Sequence, residues 1–191
     1  NKIIEDGFKM GIIDEKEFKN NSFAFYKLPS TDEIQKLGVE MHWWSYYKPW
    51  IPQENYYYAA KHTGFEANTE RTPGTYTKYS SIDDLALDAF HWFMGYIKFG
   101  MGRATREACS DIRCGHLTRD EGVALAQKYD HEFPKQYLDT FLSYLDITEE
   151  HFWNVVDKFR SGKIWQKKNG KWKRKACVSK NNIYGEEPSI E

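Results

Sequence analysis

A cluster of basic residues surrounds two glycines in the middle of the chain and could bind an anion. The glycines allow the backbone to take positive φ angles and to approach a ligand closely. The cluster lies within residues 97–106 and consists of Lys98, Gly100, Gly102, Arg103 and Arg106. It predicts a phosphate or another anion at this turn. A helix C-cap followed by two solvated arginines explains the same residues, because GxGR is not by itself a phosphate-binding motif.

A loop rich in hydroxyl groups precedes this cluster. Residues 66–80 are polar, with Pro-Gly at positions 73 and 74 as a turn. Four of its residues are candidates for hydrogen bonds to a polar ligand: Thr75, Tyr76, Thr77 and Tyr79. A solvated loop without a ligand is the alternative.

Three motifs that are common in enzymes are not found in the 191 residues. There is no Gly-Lys-Ser/Thr phosphate loop, GxSxG or HExxH motif, and we identify no pair of carboxylates at helical spacing directed at one point. No catalytic base can therefore be assigned. The three cysteines, Cys109, Cys114 and Cys177, form no CxxC pair, which predicts reduced thiols and no metal site.

Composition limits the classes of partner. The chain has 27 basic and 28 acidic residues and a net charge of -1, so no general affinity for nucleic acid is expected. No run of eighteen apolar residues and no signal peptide is present, which predicts no membrane span and a cytoplasmic location.

Helices with short connections are predicted to hold the candidate residues. Apolar residues at three- and four-residue spacing predict a helix over 82–98 that is capped by Ser81, and a second helix over 104–114. Three more helices are predicted to begin near Thr118, Pro134 and Thr148. Asn-Gly at 169 and 170 predicts a β-hairpin in which Trp165 and Trp172 pair across the strands.

The region upstream is predicted to form one helix–strand–helix unit of an α/β layer. A helix capped at residues 30–31 and ended by Gly38 is followed by a predicted strand over 39–47 and by a helix that begins at Pro52 and ends at Gly64. Tyr46, Tyr47, Lys48 and Trp50 follow the strand, and they could line a pocket or cover the rim of the sheet.

A lone strand has two unpaired edges, so the rest of the sheet is expected upstream of residue 1. The predicted fold is an α/β remnant followed by a mainly α C-terminal lobe that ends in the hairpin. The predicted domains are 1–65, the end of an α/β nucleotide-binding domain; 66–178, a helical subdomain with the hairpin; and 179–191, a disordered tail.

Several ordered blocks of the sequence resemble the C-terminal half of the N-acetyl sugar amidotransferase family. The blocks are GTYTKYSSIDD at 74–84, YIKFGMGRAT at 96–105, DIR at 111–113, TRDEGV at 118–123, KYD at 128–130, EFP at 132–134, and the pattern from Phe152-Trp153 to Phe159-Arg160 with Trp165 and the Asn-Gly hairpin. The resemblance covers about residues 30–176.

This resemblance implies an ATP-dependent enzyme of LPS O-antigen, surface-polysaccharide or nonulosonic-acid biosynthesis, for example of pseudaminic acid, with an adenine nucleotide α-hydrolase-like (PP-loop) fold. Such enzymes convert the N-acetyl group of a free or nucleotide-linked sugar into an acetamidino group, with ATP and Mg as cofactors. A glutaminase- or synthase-type subunit supplies the ammonia.

The family's SGGxDS-type ATP loop and its cysteine-rich segment are absent from the 191 residues. The resemblance therefore implies only supporting roles: phosphate or nucleotide-sugar contacts for Lys98, Arg103 and Arg106, and polar ligand contacts for the four loop residues. It also implies that Arg103→Ala lowers turnover far more than thermal stability. A non-catalytic module that docks a glutaminase or synthase subunit is the alternative function.

Overall fold

The computed structural model describes residues 2–20, 22–80, 84 and 86–178. The chain divides into two compact units, and the boundary falls between Pro49 and Trp50. The sequence places the boundary at residue 65 instead, whereas helix 52–63 falls in the second of these units. The predicted tail, 179–191, lies outside the described residues.

Among its described residues, the first unit contains four short helices and one 3₁₀ turn. They are α1 (Lys2–Lys9), α2 (Glu15–Lys19), the 3₁₀ turn (Ala24–Tyr26), α3 (Thr31–Leu37) and α4 (Trp44–Tyr47). Ser30 and Glu33 form a capping box at the start of α3, and Gly38 ends this helix with φ 61°. Both ends of α3 therefore confirm the prediction made from their capping residues.

The predicted strand over 39–47 is wrong. Residues 39–43 have no regular structure, and residues 44–47 form α4. The aromatic and β-branched composition favours a strand locally, but a strand also needs a neighbour for its hydrogen bonds, and none pairs with this segment among the described residues. The α/β part of the predicted fold thus has no strand within the described part of the first unit.

The second unit contains six helices, a 3₁₀ turn and one hairpin among its described residues. They are α5 (Pro52–Thr63), α6 (Asp88–Phe99), α7 (Arg103–Arg113), α8 (Arg119–Tyr129), the 3₁₀ turn (Lys135–Tyr137), α9 (Leu138–Leu145), α10 (Glu149–Lys158), β1 (Trp165–Lys168) and β2 (Lys171–Arg174). Pro52 begins α5 and Gly64, with φ 71°, ends it, as predicted.

Helix α6 begins later than predicted. Its first residue is Asp88, and the Oδ1 atom of Asp84 accepts hydrogen bonds from the amides of Ala86 and Leu87 at 2.8 Å each. Asp84 thus accepts hydrogen bonds from the turn that precedes α6 and does not lie inside the helix. Short acidic side chains often form such local bonds in place of the hydrogen bonds of a helix. The predicted cap, Ser81, lies outside the described residues.

Aromatic side chains form the core of the second unit. Phe90 of α6 is 1 % exposed, stacks on Phe141 at 4.0 Å and meets Phe152 edge to face at 5.8 Å. Burial of each such side chain contributes about 1.5–3 kcal/mol. The buried members of this cluster are Phe90, Phe93, Tyr96, Ile97, Leu138, Phe152, Val156 and Trp165.

The hairpin packs against the end of α6. Asn169 (φ 52°) and Gly170 (φ 76°) form its turn, as predicted. The Trp165 indole donates to the carbonyl of Ile97 at 2.6 Å, and Arg174 donates to the carbonyl of Gly100 at 2.7 Å. These contacts fix the position of the turn between α6 and α7.

The predicted pairing of Trp165 with Trp172 is wrong. A two-residue turn sets Lys168 opposite Lys171, so Trp165 lies opposite Arg174 and Trp172 opposite Lys167. Arg160 bridges the two tryptophans instead, since its guanidinium lies 4.7 Å from the ring of Trp165 and 5.5 Å from that of Trp172.

Candidate functional site

The glycine turn between α6 and α7 is closely packed. Gly100 ends α6 with φ 74°, and Gly102 precedes α7 with φ -102°, an angle that any residue adopts. A Cβ atom on Gly102 would lie 2.8 Å from the carbonyl oxygen of Asp130 and 2.9 Å from its Oδ1 atom. Gly102 is therefore required by the close approach of Asp130 and not by its own backbone angles.

Asp130 supplies the anion at this turn. Its side chain is buried, accepts a hydrogen bond from the amide of Thr105 at 2.8 Å, and accepts a second from the Thr105 hydroxyl. The positive end of α7 is thus neutralised by a carboxylate of the same chain. At the predicted anion site, the amide of Thr105 is therefore already bound to Asp130 and is not available to an external anion.

Arg103 is also engaged within the protein. It is 3 % exposed, and its Nε atom donates to Glu107 one turn later on α7 at 2.9 Å. Removal of Arg103 leaves Glu107 with hydrogen bonds from Thr75 and Ser80 but without this charged partner. Arg103→Ala is therefore expected to lower stability as well, and the larger loss of turnover expected from the sequence stays a prediction.

The hydroxyl-rich loop is fastened by Glu132. Arg71 donates to both carboxylate oxygens of Glu132 at 2.6 Å each, and the amide of Gly74 donates to the same carboxylate at 2.9 Å. The guanidinium also lies 4.4 Å from the ring of Tyr129. Hydrogen bonding to Glu132 raises the pKa of Arg71. A bidentate pair of this kind fixes both position and orientation.

Two of the predicted ligand contacts are internal bonds. Thr75 is buried and donates to Glu107 at 2.6 Å, while Tyr76 donates to Asp111 at 2.6 Å. Burial, followed by the bond to Asp111, raises the pKa of the Tyr76 phenol. Thr75 and Tyr76 are therefore corrected to residues that hold the loop on α7, because their hydroxyls are directed at its carboxylates.

A cavity of about 550 Å³ lies beside this loop, and we call it the tyrosine cavity. Its aromatic walls are Trp50, Tyr56, Phe65 and Tyr79. Tyr56 and Tyr79 stack at 4.1 Å with 6° between their planes. Burial, followed by the negative charge of Asp111, raises the pKa of Tyr79. The volume of the tyrosine cavity is in the range usual for small-molecule sites.

The polar wall of the tyrosine cavity comes mainly from α7. Its charged residues are Arg103, Arg106, Glu107, Asp111 and Arg113. Arg103, Glu107 and Asp111 recur every four residues, so they share one face of the helix. The sequence analysis missed this pair of carboxylates at helical spacing, although the four-residue repeat was a signal that could have revealed it.

A second cavity, of about 570 Å³, is lined by α6 and α7, and we call it the tryptophan cavity. Of the predicted residues it contains Lys98, Gly102 and Arg106. The guanidinium of Arg106 lies 4.0 Å from the ring of Trp92, and Arg106 lines both cavities.

Some of the predicted site residues line one of the two cavities, and others line neither. Thr77, Tyr79, Arg103 and Arg106 line the tyrosine cavity, whereas Thr75, Tyr76 and Gly100 line neither cavity. Trp50 also lines the tyrosine cavity, whereas Tyr46, Tyr47 and Lys48 belong to the first unit. Tyr56, Phe65 and Trp92 were not predicted, because their places depend on packing between helices.

The sequence has no glycine-rich loop for the triphosphate of ATP, and the Thr105 amide near the start of α7 is bound to Asp130. We therefore assign no step of nucleotide chemistry to these side chains.

The second unit is a mainly helical domain with a cavity lined by aromatic and charged side chains. Residues 73–178 match the family described as LPS biosynthesis protein WbpG-like, C-terminal domain. The match covers more than half of the chain, and the protein therefore belongs to this family of lipopolysaccharide (LPS) biosynthesis proteins. The comparison with curated proteins gave no match. No helix among the described residues is long and apolar enough to cross a membrane.

Proposed function

We propose that the chain is the C-terminal, sugar-binding portion of an ATP-dependent amidotransferase with an adenine nucleotide α-hydrolase-like fold, which acts in LPS biosynthesis. Family membership supports the pathway. The tyrosine cavity, with aromatic walls beside two carboxylates and three arginines, is the observation that supports sugar binding. The resemblance of the sequence blocks to sugar amidotransferases supports the reaction.

The proposed reaction converts the N-acetyl group of a sugar into an acetamidino group. Ammonia supplies the new nitrogen, the amide oxygen leaves on the phosphate of AMP, and pyrophosphate is the remaining product. ATP with Mg would supply the activation of this oxygen, because a free amide oxygen leaves poorly. A glutaminase-type subunit supplies the ammonia.

The lining of the tyrosine cavity matches the chemistry of a sugar. The rings of Tyr56 and Tyr79 offer apolar surface to the C–H face of a pyranose. Asp111, which accepts from Tyr76 through Oδ2, provides Oδ1 as an acceptor for a sugar hydroxyl. Arg106 and Arg113 provide N–H groups for a negatively charged substituent such as a phosphate.

Titration calorimetry with N-acetylglucosamine 1-phosphate tests the proposal. We expect binding that weakens about tenfold or more in Tyr79→Ala, which removes the ring against the sugar, and in Arg113→Gln, which removes a charged donor. A tenfold change corresponds to about 1.4 kcal/mol, close to the lower end of the range for a hydrogen bond to a charged group.

The controls replace similar residues outside the cavity. Tyr57→Ala removes an exposed ring beside Tyr56, and Arg119→Gln removes a basic residue at the start of α8. Both should bind the sugar phosphate as the unmodified protein does. Absence of binding, or equal weakening in all four variants, contradicts a sugar site in this cavity.

A second function, docking of a partner subunit, is favoured by the surface of the first unit. None of its described residues is buried. Large aromatic side chains remain open to solvent, including Trp43 (72 % exposed), Trp44 (65 %) and Tyr46 (87 %). Exposed apolar surface of this extent is typical of interaction sites. Failure of the sugar titration would leave this docking role as the better proposal.

A further inference from the structure

We infer that the tryptophan cavity binds an anionic amphiphile, that is, a molecule with one negatively charged head and an aliphatic body. The inference does not depend on the proposed amidotransferase function, because it concerns a different cavity. It rests on the lining of that cavity, on the charges at its edge and on the contacts that hold those charges.

The walls of the tryptophan cavity are largely apolar. They include Trp92 and Met94 of α6, Phe99 and Met101 at the turn, and Phe159 after α10. Phe99 and Met101 are each 59 % exposed, so the cavity offers apolar surface that a ligand would remove from water. Methionine side chains are unbranched and flexible, and they adapt to aliphatic chains of irregular shape.

The charges of this lining have one sign. Lys98 and Arg106 line the cavity, and no Asp or Glu does so among its described lining residues. The tyrosine cavity differs, because Glu107 and Asp111 offset its arginines. An occupant of the tryptophan cavity is therefore expected to be negatively charged at one end.

Both cations are held against aromatic rings. The ammonium of Lys98 lies 5.3 Å from the ring of Phe99 and 5.8 Å from that of Phe159. The central carbon of the Arg106 guanidinium lies 4.0 Å from the centre of the Trp92 ring. Rings attract cations without neutralising their charge, so both side chains keep N–H groups for an anionic head while their contacts border the apolar walls.

The position of Cys109 provides a site-specific measurement. Cys109 is exposed and lines the tryptophan cavity, whereas Cys114 lines neither cavity and Cys177 is buried. A ligand in the tryptophan cavity should therefore slow alkylation of Cys109 and leave Cys114 unchanged. Peptide mass spectrometry distinguishes the two thiols.

The experiment measures alkylation of the full chain by iodoacetamide with decyl phosphate below its micelle concentration. We expect at least fivefold slower modification of Cys109. Octyl phosphate should require a higher concentration, because each buried methylene contributes up to about fourfold in affinity. Inorganic phosphate, which lacks the aliphatic body, should give no protection.

Lys98→Gln tests recognition of the charged head. It should raise the half-protecting concentration of decyl phosphate about fivefold, as expected for a partly exposed ion pair, and leave that of neutral decyl maltoside unchanged. Lys128→Gln is the matched control, because Lys128 also lies over a ring, at 5.0 Å from Tyr129, but outside the cavity. It should behave as the unmodified protein.

Two results would overturn the inference: no protection of Cys109 by decyl phosphate, or protection by decyl maltoside at the same concentrations with no effect of Lys98→Gln. Met101→Ser, at an exposed position, is a second variant and should weaken protection by both amphiphiles. Sedimentation with phosphatidylglycerol and phosphatidylcholine vesicles then identifies the source of the head group. Lys98-dependent binding to the former indicates a bilayer lipid, and its absence indicates a free amphiphile.

Discussion

Replacement of Gly102 by alanine should destabilise the second unit strongly. The new Cβ would lie 2.8 Å from the carbonyl oxygen of Asp130, 2.9 Å from its Oδ1 atom and 3.0 Å from its Cγ atom. A backbone oxygen cannot move aside cheaply, so Asp130 and α7 must separate. The φ angle of -102° suits alanine, and the cost is therefore steric.

Two terms set the size of this effect. Overpacking of a closely packed position costs about 1–3 kcal/mol. Weakening of the bond from the Thr105 amide to Asp130, which acts as a helix cap, costs about 0.5–2 kcal/mol. Because the two terms overlap, we expect a loss of about 2–4 kcal/mol in the free energy of unfolding, or roughly 10 °C in melting temperature.

Urea unfolding monitored by circular dichroism measures this loss. Gly95→Ala is the matched control, because a Cβ at this position in α6 meets no atom within 4 Å. It should stabilise the protein by about 0.5–1 kcal/mol, since alanine has the higher helix propensity.

The same measurement separates two interpretations of the turn. If Gly102→Ala unfolds within about 0.5 kcal/mol of the unmodified protein, Asp130 does not fill the turn and our reasoning is refuted. Unchanged stability together with lost affinity for phosphate ligands would restore the anion site predicted from the sequence.

Two further predictions concern the bonds that hold the hydroxyl-rich loop. Tyr76→Phe should lower the free energy of unfolding by about 1 kcal/mol at pH 7, because the hydrogen bond to Asp111 is lost. The pKa of Tyr76 is raised in the folded protein. The contribution of Tyr76 to stability is therefore complete below pH about 10 and falls above it. Urea unfolding from pH 8 to pH 11 should therefore show a shrinking difference between the two proteins, and a constant difference would contradict the assignment. Glu132→Gln should lower the free energy of unfolding by about 1–2 kcal/mol, because it breaks the bidentate pair with Arg71. The control Glu150→Gln, in the exposed first turn of α10, should lower it by less than about 0.5 kcal/mol. Equal effects of the two variants in urea unfolding would show that the pair adds nothing to stability.

Features set by neighbouring residues were predictable from the sequence. Ser30, Thr118 and Thr148 accept hydrogen bonds from the helices that follow them, and the Asn-Gly turn forms where expected. Each of these structures depends on contacts within a few residues, so residue type and spacing contain the required information.

Features set by distant residues were not predictable in the same way. The strand over 39–47 failed because its partner could not be identified from the segment itself. The role of Asp130 at the glycine turn joins residues 25 positions apart, and that of Glu132 joins residues 61 positions apart. A basic turn next to hydroxyl groups indicated that a negatively charged group lies nearby. Residue spacing alone could not show that this group is a carboxylate of the same chain, such as Asp130 or Glu132.

The shared position of Arg106 has a consequence for binding at both cavities. Arg106 borders both cavities, so a ligand that fixes the orientation of its guanidinium from one cavity would alter the free energy of binding in the other. Thermodynamic reciprocity requires the second molecule to change the affinity for the first by the same factor. If both proposed ligands bind, this single side chain would couple the two cavities.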